Sequence, residues 1–300
     1  MLEPGAAARS VAGSCFDHGG ELLVDDTVSM RKTNAVRREG SVGALLRYWR
    51  SVRRLSQLAL AHAAEVSVRH VNFIETGRAG PSREMVLVLA RVLDVPLRER
   101  NTLLVAAGFA PVYLETRLDA PELASVRRAL DAILLQQEPY PAVVMDRYWD
   151  ILQVNAAAGR FFRFLLGERA ARLPSNVLRR MFDPQAVRPL VANWDAYAEA
   201  LIQRVHRECV GGVPDARTEA LLRELLSYPE VPRSWRSANP GTPLLPLVPI
   251  AFARDEHRFD FFSTVTTLGT PQDITLQEIR IECFFPVDAA TEAAVKRLAG

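Results

Sequence analysis

The chain has 300 residues, of which 49% are hydrophobic and 24% are charged, a composition typical of globular proteins and a length that predicts two domains. The formal net charge of +2 excludes a protein that binds nucleic acid through overall positive charge alone. No apolar run approaches the roughly 20 residues that span a bilayer, so we expect no membrane partner. The three cysteines have neither the number nor the spacing of a disulfide framework or a metal site, which predicts a cytoplasmic protein.

The N-terminal part of the chain is uneven in composition and charge. Residues 1–40 are rich in Gly and Ala and lack the apolar segment of a signal peptide, so we expect a disordered leader. Between residues 37 and 100, twelve arginines stand against six acidic residues, although the whole chain is nearly neutral. The positive charge is therefore concentrated in one segment of domain size.

Residues 41–108 show helical periodicity and no strand signal, and they predict a small all-α domain of five short helices. Ser56 and Ser67 are suitable N-caps for the second and third helices, and Pro96 begins the fifth.

The segment 56–78 has the layout of a helix-turn-helix, with Ala61 at the point where the two helices approach closely. The outward face of the second helix carries Arg and Asn. These side chains pair bidentately with guanine and adenine, at about 1–3 kcal/mol of discrimination each. The alternative is that the arginines only solvate a helical bundle. We predict DNA contacts by Gln57, Ser67, Val68, Arg69, Asn72 and Arg78.

These residues resemble the lambda-repressor-like, XRE-type helix-turn-helix family over about 65 residues. The matching residues are Gln57, Ala61, Val66-Ser67, Ile74-Glu75, Gly77-Arg78 and Pro81-Ser82. The resemblance implies binding to a double-stranded DNA operator. The family usually has Gly at the turn where this chain has Glu65. A non-Gly residue with positive φ costs about 1 kcal/mol, so we expect a slightly altered turn.

A second domain follows a linker that we place at 109–121, with a proline towards each end. The stretch 140–162 predicts a strand, a tight turn, a second strand and a helix capped by Asn155. Helical segments come next, and three runs rich in β-branched and aromatic residues predict further strands near the C-terminal end. Residues 122–292 therefore predict an α+β domain, and 293–300 a C-terminal tail. The order of strand, turn, strand and Asn-capped helix resembles that of PAS-type sensor domains, which implies a PAS-like fold.

Three segments of this domain, at 130–162, 181–198 and 261–288, resemble the MmyB-like transcription regulators. The resemblance extends over 41–292. It implies an XRE-type domain followed by a PAS-like ligand-binding domain associated with fatty acids, in a bacterial cytoplasmic regulator that forms a homodimer. A bound fatty acid is then the expected ligand, with no obligate cofactor.

The expected site combines aromatic walls with polar donors for a carboxylate. The candidate residues are Tyr148, Phe161, Phe162, Phe182, Arg188, Asn193, Trp194, Phe262, Thr264 and Thr266. Alternatively, the aromatic residues fill the core, the threonines only end a strand, and Arg188 and Asn193 cap helices or pair with Asp183 and Asp195.

No catalytic or metal-binding motif is present, so we do not expect an enzyme or a metal site. The main alternative function is a DNA-binding regulator whose second domain only dimerises or docks a protein partner, without a small ligand. A haem or flavin sensor, the other common use of PAS-like domains, would be coloured when purified.

Overall fold

The computed structural model describes residues 40–210, 215–237 and 249–299. It confirms the predicted fold class, because an all-α domain is followed by a domain that combines helices with an antiparallel sheet. The predicted leader at 1–40 lies outside the described residues apart from Gly40.

The N-terminal domain contains the five predicted helices. They are α1 (Val42–Val52), α2 (Gln57–Ala63), α3 (Val68–Glu75), α4 (Arg83–Val92) and α5 (Leu97–Ala106). The first four are each capped by a serine whose hydroxyl oxygen accepts a backbone N–H of the first turn. These serines are Ser41, Ser56, Ser67 and Ser82. The fifth helix begins after Pro96, which makes no side-chain cap.

The turn between α2 and α3 has the geometry of a helix-turn-helix. Glu65 lies in the left-handed region with φ of 56°, so a non-glycine residue does occupy the usual glycine position. Ala61 is buried where the helices meet. On the other side, α1 lies so close to α3 that a Cβ at Gly43 would collide with the carbonyl oxygen of Ile74. The position of α3 is therefore set by contacts with two helices.

A buried carboxylate connects the first three helices. Glu75, at the end of α3, is 4% exposed and accepts hydrogen bonds from Arg50 Nε at 2.6 Å and Arg50 Nη2 at 2.9 Å. Gln57 Nε2 of α2 donates to the same carboxylate at 2.8 Å. Burial alone would raise the pKa of Glu75, but the hydrogen bonds from Arg50 and Gln57 outweigh it and lower this pKa below its usual value. Glu75 is therefore an anion at neutral pH.

The second domain, for which the sequence predicted a PAS-like fold, is built on one five-stranded antiparallel sheet in the order β2-β1-β5-β4-β3. The strands are β1 (Ala142–Met145), β2 (Ile151–Val154), β3 (Ile250–Arg254), β4 (His257–Thr267) and β5 (Arg280–Pro286). The helices are α6 (Ala124–Gln136), α7 (Ala156–Leu166), α8 (Val177–Phe182), α9 (Trp194–Val210), α10 (Ala216–Leu225), α11 (Ile274–Glu278) and α12 (Ala289–Ala299). Since β1 pairs with β5, the strands predicted at the two ends of the domain form one sheet.

Helices pack on both faces of this sheet. On the inner face, α7 to α10 contribute to a large apolar core that contains Phe259, Phe261 and Phe284 of the strands. On the outer face, α6 packs Leu130 and Leu134 against β1 and β5. The central strands β1 and β5 are therefore covered on both sides.

Asn155 is the helix cap that the sequence predicted. It is 6% exposed, and its Oδ1 accepts hydrogen bonds from Ala158 N at 2.9 Å and Ala142 N at 3.0 Å. Its Nδ2 donates to the carbonyl oxygen of Tyr140 at 2.8 Å. One side chain thus joins the start of α7 to the start of β1.

The C-terminal end differs from the prediction. The expected tail at 293–300 is, as far as residue 299, the C-terminal part of α12. This helix packs on β4 and α7, and its Val295 is 3% exposed. A short alanine-rich helix has little stability of its own, and here contact with the sheet domain stabilises it.

We expect Glu75→Ala to destabilise the N-terminal domain by about 3–5 kcal/mol, because it leaves the largely buried Arg50 without its partner. Hydrogen exchange of the α3 amides in the full chain measures this loss. Asp94→Ala is the matched control, since Asp94 pairs with Arg53 but has a side chain that is 90% exposed. Its effect should stay below about 1 kcal/mol. Equal protection of α3 in both variants would contradict a structural role for Glu75.

The same carboxylate predicts acid sensitivity. The pKa of Glu75 is lowered in the folded state, so its contribution is present above the unfolded-state pKa of about 4.3 and is lost as the pH falls through the lower folded value. In the wild type, the α3 amides should therefore lose protection from hydrogen exchange in this acid range. In Glu75→Ala, the protection of these amides should change less over the same range.

Candidate functional site

The outward face of α3 presents several of the predicted DNA-contacting side chains. Arg69 and Arg78 are exposed, and both guanidinium groups lie over the ring of Phe73, at 5.1 and 5.9 Å from its centroid. Val68 is 37% exposed at the first turn. Because Arg69 and Arg78 both lie over the ring of Phe73, their two positive charges are on the same side of the helix-turn-helix.

Ser67 stands at the N-terminus of α3. Its Oγ accepts a hydrogen bond from His70 N at 3.1 Å, and the residue is exposed. A hydroxyl used as a cap acceptor keeps its own O–H as a donor. Ser67 can therefore cap the helix and donate to a phosphate oxygen at once.

Gln57 and Asn72 form one hydrogen-bonded unit. Asn72 Nδ2 donates to Gln57 Oε1 at 3.3 Å, and Gln57 Nε2 donates to the buried carboxylate of Glu75. The amide of Asn72 is thus oriented through Gln57 from the core of the domain. The sequence predicted both residues as DNA contacts, but it did not indicate that one positions the other.

Three of the aromatic residues predicted as ligand-binding lie in the core. Phe161 is 2% exposed, Phe182 0% and Trp194 8%. Phe161 meets Phe252, Phe259 and Phe261 edge to face, with ring centroids 5.2–5.4 Å apart. These rings fill the space between α7 and the inner face of the sheet.

The two polar residues predicted to bind a carboxylate have protein partners. Arg188 Nη2 pairs with Glu230 at 2.6 Å, and its guanidinium lies 3.9 Å from the centroid of the Trp194 ring. Asn193 donates to Pro249 O at 2.8 Å and accepts from Ala251 N at 2.9 Å. The ion pair is with Glu230 and not with Asp183, so Arg188 joins two segments that lie about 40 residues apart in the chain.

The remaining predicted ligand residues lie at separate places. Phe262 stacks on Phe285 with centroids 5.3 Å apart, on the side of the sheet opposite Phe261, and Thr264 and Thr266 are exposed on the same strand. Tyr148 lies in the turn between β1 and β2, under the guanidinium of Arg217 at 3.9 Å. The structure does not bring these residues together with the inner-face aromatic residues.

Phe162, the last of the set, borders a cavity of about 260 Å³. The cavity lies between β2, α7 and the 3₁₀ segment Gly167–Arg172. Its lining is formed by Val154, Ala158, Gly159, Phe162, Arg163, Gly167, Glu168, Ala170, Ala171 and Arg180. The charged residues of the lining are two arginines and one carboxylate, that of Glu168, so its net charge is positive. Such a cavity can take a small ligand that has an apolar body and an anionic group.

The sequence indicated this cavity only through Phe162. Arg180 was missed because it belongs to α8, which meets β2 and α7 only in the folded domain. Its Nε donates to Pro174 O at 2.5 Å, and burial lowers the pKa of its guanidinium. A signal was available in α7, where Ala158 and Phe162 stand four residues apart on one helix face.

The described ranges contain no group of three or more His, Cys, Asp or Glu that could hold a metal ion. His206 Nε2 is hydrogen-bonded to Trp235 O at 2.8 Å, and burial raises the pKa of the Cys209 thiol to about 11. Both side chains contribute to packing. None of the helices between residues 40 and 299 that the structure describes is long and apolar enough to cross a membrane.

Comparison with known proteins gives two family matches. The model for the MmyB-like transcription regulator ligand binding domain matches residues 126–298, and a helix-turn-helix domain model matches residues 41–103. No curated protein matches the chain significantly. Among solved structures, an RNA-binding light-oxygen-voltage receptor is 12% identical, with 92% of this chain and 68% of that chain covered. The TM-score of 0.24 is too low for this likeness to bear on the fold.

The two matched ranges coincide with the two domains of the structure. The ligand-binding-domain match alone covers more than half of the chain, and the helix-turn-helix match contains α2, the turn at Glu65 and α3. These families are regulators and ligand-binding domains, not enzymes. The chain is therefore a DNA-binding transcription regulator with a ligand-binding domain, and it belongs to the MmyB-like transcription regulators.

Proposed function

We propose that this regulator reads a specific operator with α3 and that its PAS-like domain binds a small apolar ligand with an acidic head, a fatty acid or a related acyl lipid. The observation that carries the proposal is the pairing of an exposed, arginine-bearing α3 with a domain that has an apolar, arginine-bordered cavity. We further propose that it acts in the cytoplasm as a homodimer.

The accessible side chains of α3 support specific reading of DNA. Arg69 is exposed on the outward face, and a guanidinium can donate two hydrogen bonds to guanine. Asn72, held by Gln57, has the amide that pairs with adenine. Arg78 and the N-terminus of α3 at Ser67 are suited to phosphates, which position the helix without reading sequence.

The cavity beside α7 supports the acyl ligand. Each buried methylene stabilises a complex by about 0.8 kcal/mol, so an acyl chain can bind to apolar walls such as Val154 and Phe162 without many polar contacts. Arg163 and Arg180 offer cations for the carboxylate. The volume of about 260 Å³ is slightly smaller than the usual range of about 300–1,000 Å³, which suits a short chain or one end of a longer one.

In the proposed homodimer, ligand binding and operator binding are thermodynamically linked. If the ligand binds one arrangement of the two DNA-reading domains better than another, operator affinity changes by the same differential affinity. Two α3 helices would then contact half-sites about 34–36 Å apart, or a multiple of this distance.

We expect Arg69→Ala to weaken binding to the preferred operator by about 1–3 kcal/mol and to relax specificity at one base position. Gln57→Ala should weaken operator binding as well and relax specificity at the position that Asn72 reads, because it removes the side chain that orients the Asn72 amide. Selection of operators from random DNA by each protein, followed by titration at one salt concentration, measures both effects.

Arg91→Ala is the control for this experiment. Arg91 is an exposed arginine in the last turn of α4 and belongs to none of the proposed contacts. The operator affinity of the Arg91→Ala variant should remain close to that of the wild type. If Arg69→Ala and Gln57→Ala also bind the wild-type operator unchanged, the assigned reading face is wrong.

We expect Arg180→Ala to weaken binding of an added fatty acid about tenfold, since hydrogen bonds to charged groups contribute about 1.5–3 kcal/mol. Ala171→Trp should block the same cavity from its exposed rim. Thermal shift with a series of fatty acids, and mass spectrometry of acyl chains extracted from the denatured protein, give the measurement.

Arg169→Ala is the matched arginine control for the ligand experiment. Arg169 is exposed in the same 3₁₀ segment but does not line the cavity. Absence of both extracted lipid and thermal shift in the wild type would refute the acyl ligand. That result would favour a domain that dimerises or docks a protein, and a coloured protein would favour haem or flavin.

A further inference from the structure

Helix α5 begins differently from the other four helices of the DNA-binding domain. Each of those has its own serine cap, whereas Pro96 makes no side-chain cap for α5. The backbone N–H of Leu97 donates instead to Oε1 of Gln277 at 2.7 Å. Gln277 belongs to α11 of the PAS-like domain, so the ligand-binding domain supplies the cap that α5 lacks.

The next residue of α5 strengthens the same contact. Arg98 donates from Nε to Glu278 Oε1 at 2.8 Å and from Nη2 to Glu278 Oε2 at 2.9 Å, a bidentate pair. The side chains of Arg98 and Glu278 are 28% and 17% exposed, so solvent screens this pair only partly. Hydrogen bonds to Glu278, and then to Glu115 of the linker, raise the pKa of Arg98.

The linker meets the same segment of the PAS-like domain. The backbone N–H of Ile274 donates to the carbonyl oxygen of Leu114 at 2.8 Å, and Thr116 N donates to Asp273 Oδ2 at 3.1 Å. Asp273 also caps α11 through its other carboxylate oxygen, which accepts from Thr275 N at 2.8 Å. The start of α11 is therefore bonded to the linker, and its end is bonded to α5.

Residues 273–278, which we name the interdomain clip, are also tied to the sheet of the PAS-like domain. The clip lies in the connection between β4 and β5, and Glu278 shortly precedes Arg280, the first residue of β5. Arg147, in the turn between β1 and β2, donates from Nη1 to Glu278 Oε1 at 3.1 Å. Met145 of β1 pairs with Arg280 in the sheet register. The ends of β1 and β5 therefore meet at the clip.

The surroundings of the clip are polar. A cavity of about 430 Å³ lies beside it and is bordered by both domains, including Arg53 and Glu99 on one side and Arg147, Glu208 and Arg280 on the other. Polar contacts between domains of one chain usually permit relative motion, in contrast to a continuous apolar core. A contact of this kind can be made and broken without unfolding either domain.

We propose that the interdomain clip couples the sheet of the PAS-like domain to the DNA-binding domain through α5. A shift of β4, β5 or the β1–β2 turn moves Gln277 and Glu278, and α5 then keeps or loses its cap and its ion pair. Leu103 and Leu104 of α5 are buried in the same core as Ile74 of α3, so a change in α5 reaches the reading helix. The regulatory consequence rests on the proposed function, whereas the mechanical contact does not.

Hydrogen exchange of the α5 amides in the full chain, without ligand or DNA, tests the contact. Gln277→Ala should accelerate exchange in the first turn of α5 about fivefold, the usual effect of losing an N-cap. Glu278→Gln should accelerate it as well, because it removes the charge that holds Arg98. Arg147→Ala should have the same direction of effect, since its ion pair with Glu278 lies within the PAS-like domain.

Two variants serve as matched controls. Gln153 donates its amide to Asp131, and Glu224 forms a bidentate pair with Arg179, so both interactions lie inside the PAS-like domain. Gln153→Ala and Glu224→Gln should leave α5 exchange at the wild-type rate. Unchanged exchange of the β1 and β5 amides shows that every variant retains its sheet. The proposal would be overturned if the α5 amides exchanged at the wild-type rate in both Gln277→Ala and Glu278→Gln. Equal acceleration of α5 exchange in the two controls would overturn it as well.

Operator titration of the Gln277→Ala/Glu278→Gln double variant tests the regulatory step. The ratio of operator affinity with and without an added fatty acid should move towards one, from above or below, while affinity for the ligand stays at the wild-type value. An unchanged ratio, with accelerated α5 exchange, would overturn coupling through the clip. A wild-type protein that binds neither operator nor fatty acid would refute the proposed function instead, and the exchange experiment would still decide whether the contact exists.

Discussion

β1 and β5 pair across about 140 residues of sequence, with Ala142 opposite Cys283 and Met145 opposite Arg280. Closing such a long loop costs conformational entropy, which burial of both strands between the inner core and α6 offsets. The intervening helices α7 to α10 pack on the inner face of the sheet that this pairing closes. Asn155 is held at one end of β1, and the interdomain clip lies at the other end. Both the ligand-binding domain and its contact with the DNA-binding domain therefore depend on one long-range strand pair.

The DNA-binding domain depends on contacts of much shorter range. Its first four helices are capped by their own serines, and Glu75 gathers α1, α2 and α3 around one buried carboxylate. The same carboxylate fixes Gln57, which in turn orients Asn72 on the proposed reading face. Stability and the proposed DNA recognition are thus linked, because the core anion determines where the amide of Asn72 points. The exception to this local organisation is α5, whose cap comes from the other domain.

Arg188 and Asn193 show why the surroundings of side chains in the second domain were harder to predict than the exposed face of α3. Both have the chemistry of a carboxylate-binding residue, but folding places Arg188 against Glu230 and Trp194, and Asn193 against the backbone of β3. Phe161 and Phe182 likewise pack into the core. A side chain that suits a ligand equally suits a protein partner, and sequence does not tell which one it meets. Phe162 borders a cavity to which another helix, α8, contributes Arg180.

The sequence by itself determined the local features of this protein: the five helices of the first domain, the caps at Ser56, Ser67 and Asn155, the positive φ at Glu65, and the family to which both domains belong. These features depend on residues only a few positions apart, so periodicity and capping chemistry reveal them. Only the tertiary structure decided the partners of Arg188, the lining of the cavity, the packing of α12 and the cap of α5 by Gln277. Each of these depends on which distant segments the closed sheet brings into contact.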